Sequence, residues 1–266
     1  MMFLSYEEYK TVCYAWLGLA IIVFCTLLFV KAPYGRHRTS GWGIEIAAKA
    51  GWILMESIPA VLLTLILILG DNREPIIIFF WAIWTAHYVN RAWAWPNRAK
   101  LNQKLIPLSV VILAMIFNTV NCWLNGIWLF DLSNGYGNSW FTDPRFILGT
   151  SIFFLGMIIN IKSDDILFSL RDDGSTGYKI PRGGLFERVS SPNYLGEILF
   201  WWGIFFMTLA VDVSYWYLFI CPLSMNLMFS LITCKMMDNR SLIKRDGYKD
   251  YMNKTNQLLI FPKKRL

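Results

Sequence analysis

Charge is scarce in this 266-residue sequence: Asp, Glu, Lys and Arg make up 16% of it, while 56% is hydrophobic and 17% aromatic. That balance excludes an ordinary soluble domain. Histidine is scarcer still: His37 and His87 are the only two, too few and too isolated for a metal centre, and no metal is expected. The five cysteines (Cys13, Cys25, Cys122, Cys221, Cys234) are odd in number and lie mostly in or beside apolar runs without paired spacing. This argues against a disulfide framework or a zinc site. No Gly-x-Gly-x-x-Gly follows a strand and no Walker loop occurs, so neither soluble nucleotide fold applies. Internal repeats, low-complexity segments and Pro- or Ser-rich linkers are also lacking, and one domain is expected over residues 1–266. The first apolar segment has no basic leader or small-residue cleavage pattern and lies behind Glu7 and Glu8, so a cleaved signal peptide is not expected.

What the sequence does have is long apolar runs, several reaching the roughly 18–20 residues that cross a bilayer as helix. Seven spans are expected, at about 12–30, 46–69, 75–95, 105–128, 145–162, 194–211 and 214–234. Lys31, Arg36 and Arg38 follow the first; Arg98, Lys100 and Lys104 follow the third. Arg171, Lys179, Arg182 and Arg188 follow the fifth, and a basic tail follows the seventh. Alternate loops therefore carry the positive charge, which puts the N-terminus outside and the C-terminus in the cytoplasm. The expected fold is an all-α, polytopic membrane helical bundle of seven transmembrane helices. The formal charge of +7 is accounted for in this way. Its bases are dispersed among membrane boundaries, so no nucleic-acid partner is expected. The polar tail from Asp238 to Leu266, with Tyr248, Tyr251 and Leu258-Leu-Ile-Phe261, reads as an amphipathic cap on the cytoplasmic face.

Against this apolar background the polar residues stand out. Glu56 lies inside the second span, where a carboxylate costs at least about 2.5 kcal/mol and must face the bundle interior with a partner or stay protonated. Trp52 is one turn earlier on the same face. The third span ends in Thr85-Ala-His-Tyr-Val-Asn-Arg-Ala-Trp-Ala-Trp95, where Tyr88, Arg91 and Trp95 share a helical face. The plain account of this ending is an aromatic belt with a snorkelling arginine, and for Trp93 that account suffices. A polar clamp between helices is the plain account of Glu56. If Tyr88 meets Glu56, however, its phenol is a suitable proton donor to a ketone oxygen. The densest polar stretch runs from Asn160 to Glu197. There Asn160 and Asp164 are four apart, as are Asn193 and Glu197, so each pair lies on one helical face. For Arg182 and Arg188, positive-inside charge is a sufficient explanation.

Several motifs in order along the chain resemble the steroid 5α-reductase family. Trp52 comes one turn before the buried Glu56, and His87-Tyr88 is followed by Arg91 in the next helix. Tyr34-Gly-Arg-His37 is similar to that family's basic turn after the first span. Trp140-Phe-Thr-Asp-Pro-Arg145 resembles its Trp-Tyr-Thr-Asp-x-Arg turn. The C-terminal match is the densest, from Leu155-Gly-Met-Ile-Ile-Asn160 through Glu197. Departures are Met55 where the family has Gln, Pro59 one position late, and Lys235-Met-Met-Asp-Asn-Arg240 in place of a His-rich turn. The tail Gly247-Tyr-Lys-Asp-Tyr251 resembles bacterial members.

The resemblance implies NADPH-dependent reduction of a conjugated enone, with hydride to C5 and a proton to C4 of a 3-oxo-4-ene steroid. By it, Glu56 and Tyr88 are catalytic, and Trp52, Glu56 and Tyr88 bind substrate. The cofactor-binding positions are Arg36, Arg91, Trp95, Asn97, Arg98, Asn160, Asp164, Arg171, Tyr178, Lys179, Asn193, Glu197, Lys235 and Arg240. Asn and Glu suit amide and ribose hydroxyl groups, while Arg and Lys suit pyrophosphate and a 2′-phosphate. Residues 1–128 then form a substrate-side half and residues 145–266 an NADPH-binding half. The expected partners are membrane lipids and a lipophilic steroid-like substrate, with a monomeric protein in the inner membrane of a bacterium or the endoplasmic reticulum of a eukaryote.

Two other functions compete. Isoprenylcysteine carboxyl methyltransferases, which use S-adenosylmethionine, share a Pro-x-Tyr-x-Gly pattern, but usually with Arg-His before the proline, where Ser190-Ser191 stand here. A transporter or scaffold would need a polar path across the bilayer, and spans four and seven are read as having none. Within the reductase class, other lipophilic enones, enoyl thioesters and polyprenols remain open as substrates.

Overall fold

The computed structural model describes residues 4–30, 41–101, 104–133, 136–170, 179–209 and 220–260. Apolar runs without interior glycine clusters become helix, and four helical stretches among the described residues are long and apolar enough to cross a membrane. These are Tyr6–Phe29, Ala48–Leu69, Leu108–Leu132 and Pro144–Ser169. The chain divides into two compact units, residues 1–141 and 142–266.

The N-terminal unit begins with α1 (Tyr6–Phe29), six residues ahead of the expected start. Ser5 and Glu8 form a reciprocal cap, with the Glu8 N–H donating to Ser5 Oγ and the Ser5 N–H donating to Glu8 Oε2 at 2.8 Å. The two glutamates thus open the helix rather than precede it, and they favour its positive end. Tyr9 ties α1 inward by donating to the Leu124 carbonyl at 3.2 Å. Ile21, Ile22, Val23 and Phe29 are exposed, as a lipid-facing helix requires.

A short antiparallel ribbon pairs β1 (Glu45–Ala47) with β2 (Leu105–Pro107), placing Ile46 opposite Ile106. The all-α expectation omitted it, because three-residue strands carry too few side chains to show a period of two. The ribbon feeds α2 (Ala48–Leu69) and α5 (Leu108–Ile127), which run parallel and touch from Gly51 against Val111 to Leu63 against Gly126. α3 (Pro75–Val89) runs antiparallel to α2, with Trp81 Nε1 donating to Thr64 Oγ1 at 3.0 Å. It continues through a π-helical turn, Asn90–Ala94, into α4 (Trp95–Arg98). Asn118, Asn121 and Asn125 lie along α5. Asn118 donates to the Met55 carbonyl and Asn125 to the Asn121 carbonyl, each at 2.7 Å. The fourth span is therefore more polar than its sequence reading allowed.

The C-terminal unit is built on α6 (Pro144–Ser169) and α7 (Pro192–Thr208), an antiparallel pair. Asp143 caps α6 by accepting from the Arg145 N–H at 2.8 Å, and Pro144 occupies the first turn where its missing donor costs nothing. The Arg145 side chain folds back onto the same carboxylate and holds it below the usual aspartate range. The Thr-Asp-Pro-Arg motif is thus a helix start. A Cβ at Gly196 would come within 2.6 Å of the Asn160 amide nitrogen and the Gly156 carbonyl oxygen, so glycine there lets the two backbones touch. α8 (Ile220–Leu227), a second π-helical segment (Met228–Thr233) and α9 (Cys234–Lys244) follow, then α10 (Tyr248–Lys254). In the tail, read from sequence as an amphipathic cap, α10 has a buried side and an exposed side. Tyr248 and Tyr251 are buried, because their hydroxyls find partners within this unit, while Leu259 remains exposed.

Candidate functional site

In the N-terminal unit, α2 presents Trp52 and Glu56 one turn apart toward the segment after α3. Glu56 is only 8% exposed, and its Oε1 accepts from Arg91 Nη2 at 3.2 Å. The Arg91 guanidinium also lies 5.3 Å from the centre of the Trp52 ring, and the Trp95 ring packs at a tilt against Trp52, 4.5 Å between centres. One guanidinium thus meets a carboxylate and an aromatic face together. The π-helical turn starts just before Arg91, and such turns recur at functional sites. Tyr88, 4% exposed, packs between Trp84 at 5.6 Å and His87 at 5.0 Å. Trp52, Glu56, Arg91 and Trp95 therefore form one cluster, and Tyr88 lies one turn before Arg91. Asn97 is exposed and donates to the Trp93 carbonyl at 2.7 Å, beside the half-buried Arg98.

In the C-terminal unit, the close approach of α6 and α7 brings the two predicted i, i+4 pairs to one end. Asn160 Nδ2 donates to Glu197 Oε1 at 3.2 Å and to the Asn193 carbonyl at 3.0 Å. Asn160, Asp164 and Glu197 are all buried. Lys179 and Lys235 are exposed, and Arg240 is half-buried. Arg36, Arg171 and Tyr178 lie outside the described residues.

Sequence reading missed Asp238. It is 2% exposed and collects Tyr248 Oη at 2.6 Å, Gln257 Nε2 at 2.8 Å and Ser190 Oγ at 3.4 Å. Beside it, residues 188–191 and 256–257 pair like strands: the Ser190 N–H donates to the Asn256 carbonyl at 2.7 Å and the Ser191 N–H to the Gln257 carbonyl at 3.1 Å. Tyr251 Oη donates to the Phe186 carbonyl at 2.7 Å. Burial pushes the Tyr251 phenol up to about 12; burial and then Asp238 push that of Tyr248 higher still. The tail thereby braces the segment that leads into Asn193 and Glu197. The available signal was the spacing of Cys234, Asp238 and Ser241, which puts all three on one face of α9.

A helical membrane protein with a buried carboxylate–guanidinium cluster in one unit and an amide–carboxylate cluster in the other is the class that these observations define. A family model described as 3-oxo-5-alpha-steroid 4-dehydrogenase matches residues 104–254. The chain is 38% identical over 193 residues to 3-oxo-5-alpha-steroid 4-dehydrogenase 1 of Bos taurus, covering 70% of this chain and 74% of that one. It is also 38% identical over 195 residues to Steroid 5-alpha-reductase DET2 of Gossypium hirsutum, covering 71% and 75%. With 3-oxo-5-alpha-steroid 4-dehydrogenase 1 of Homo sapiens it shares 36% identity over 203 residues, covering 74% and 77%. The chain belongs to the steroid 5-alpha-reductase family of oxidoreductases.

Proposed function

We propose that this protein reduces the C4=C5 double bond of 3-oxo-4-ene steroids with NADPH, giving 5α-3-oxosteroids. The observation that carries the reading is the buried Glu56, held by Arg91 against Trp52 in a chain of this family. When bound, NADPH supplies the hydride that C5 receives. The chain's own residues handle the charge that results. Negative charge develops on the C3 oxygen until a proton added at C4 discharges it, and in an apolar cavity a fixed donor to that oxygen is worth several kcal/mol. Tyr88 is that donor, and Glu56 orients its hydroxyl. Arg91 holds Glu56 in place, and Trp52 forms a wall of the substrate site.

The C-terminal unit binds the cofactor. A buried amide and two buried carboxylates, Asn160, Asp164 and Glu197, supply the kind of donor and acceptor groups that a carboxamide and ribose hydroxyls require. This chemistry supports NADPH binding there, with Asn193, Lys179, Arg171, Tyr178, Lys235 and Arg240 completing the shell. Arg36, Arg91, Trp95, Asn97 and Arg98 are proposed as further cofactor-binding positions, and cations among these residues select NADPH over NADH. The chain crosses the membrane seven times, with the N-terminus outside and the C-terminus cytoplasmic. The parallel α2 and α5, and the antiparallel α2–α3 and α6–α7 pairs, support that alternation. The protein works as a multi-pass monomer, in the inner membrane if bacterial or the endoplasmic reticulum if eukaryotic.

The test supplies membranes containing the protein with a 4-ene-3-oxo steroid and NADPH, NADH or S-adenosylmethionine. The expected result is NADPH-dependent formation of the 5α-ketone. Methyl transfer without reduction, or equal use of NADPH and NADH, would count against the assignment.

A further inference from the structure

Pro59 stands inside α2, three residues after Glu56. Proline has no N–H, and its ring crowds the carbonyl four residues back. The carbonyl so affected is that of Met55, the residue next to Glu56. In an apolar helix bundle such a freed carbonyl must take a donor from elsewhere. Asn118 on α5 supplies one: its Nδ2 donates to the Met55 oxygen at 2.7 Å. One turn further along both helices, Cys122 Sγ donates to the Pro59 carbonyl at 3.3 Å. Two consecutive turns of α5 therefore hold the two sides of the proline break.

We infer that Asn118 is a positioning residue for the reaction: by replacing the donor that Pro59 removes, it fixes the turn of α2 that aims Glu56. The inference rests on the role proposed for Glu56. Asn118 is joined to that turn by a bond to the backbone, which the Glu56 side chain cannot compensate. A leucine substitution keeps the branching of the side chain and removes its amide, so the bond to the Met55 carbonyl is lost. Pro59→Ala returns an N–H to α2 that can bond the Met55 carbonyl directly, so it makes the asparagine dispensable.

The experiment is a double-mutant cycle on the full chain with Asn118→Leu, Pro59→Ala and the pair. Turnover of a 4-ene-3-oxo steroid, the KM for NADPH and NADPH binding are read together. Asn118→Leu should lower turnover on the order of tenfold, the scale of a small misplacement of a catalytic group, and leave NADPH binding and KM unchanged. The pair should be no slower than Pro59→Ala alone. If Asn118→Leu does not accumulate as folded protein, recovery of its yield by Pro59→Ala is the expected outcome. Normal turnover in Asn118→Leu, losses that multiply in the pair, NADPH affinity that falls with turnover, or an unrescued yield would each overturn the inference. Glu56→Gln, run beside them, separates the two levels. Normal turnover there removes the role of Glu56, whereas slow Glu56→Gln with normal Asn118→Leu removes only that of Asn118.

Discussion

Glu56 in the N-terminal unit and Glu197 and Asp238 in the C-terminal unit are all buried carboxylates, yet different donors hold them. Glu56 meets a guanidinium that is itself pinned to an aromatic face. Glu197 meets the Asn160 amide, and Asp238 meets two hydroxyls and an amide from three separate segments. The first arrangement concentrates opposite charges in one place and leaves the rest of the cluster aromatic. The second spreads one charge over several neutral partners and so draws chain segments together. A carboxylate that orients a proton donor needs a fixed direction, whereas one that assembles a cofactor shell needs many bonds. On the proposed function, the two units differ as those two tasks differ.

Breaking the charged pair should have the largest effect on stability. Arg91→Ala leaves Glu56 buried without its cation and should cost on the order of 3 kcal/mol, read by thermal unfolding in detergent. Adding Glu56→Gln should recover much of that loss; if it does not, the ion pair is not what the arginine contributes. Next comes the helix seam of the C-terminal unit. Gly196→Ala forces α6 and α7 apart at Asn160 and should cost about 1–3 kcal/mol. It should also raise the KM for NADPH while turnover at saturation changes little. An unchanged KM would mean that the seam does not shape the cofactor shell.

The smallest effect concerns the tail. The Tyr251 phenol is raised to about 12, against about 10 in an unfolded chain. Its contribution is therefore complete below pH about 10 and lost as pH climbs through about 12. The neutral phenol alone can donate to the Phe186 carbonyl. Tyr251→Phe should cost about 1 kcal/mol at neutral pH and flatten this alkaline loss. A variant with the same alkaline profile as the parent would assign the loss to other groups.

Much of the helical layout was legible because apolar runs of membrane length leave few alternatives. Glu56 was legible for the same reason, being a charge where lipid penalises one. The pairs Asn160–Asp164 and Asn193–Glu197 showed in their spacing, since four residues make a helical turn. Partners across helices were not legible. Arg91 is 35 positions from Glu56, and nothing local distinguishes a guanidinium turned to a carboxylate from one turned to water. The π-helical turn after Val89 adds a register shift with no periodic signature. Asp238 was hidden among basic residues that suggested solvent, although its spacing from Cys234 and Ser241 put it on the buried face. Asn118 could have been anticipated from Pro59, because a proline inside an apolar helix leaves a carbonyl that something must satisfy.

The central claim is that Tyr88 and Glu56 act as a unit on the substrate ketone while the C-terminal unit holds the cofactor. The most direct measurement compares turnover of a 4-ene-3-oxo steroid by Tyr88→Phe, Glu56→Gln and the pair, with NADPH binding measured on the same preparations. Each single variant should lose about 10²–10³-fold in turnover, the double should be little worse, and all three should bind NADPH as the parent does. Near-normal turnover in Tyr88→Phe would contradict the account.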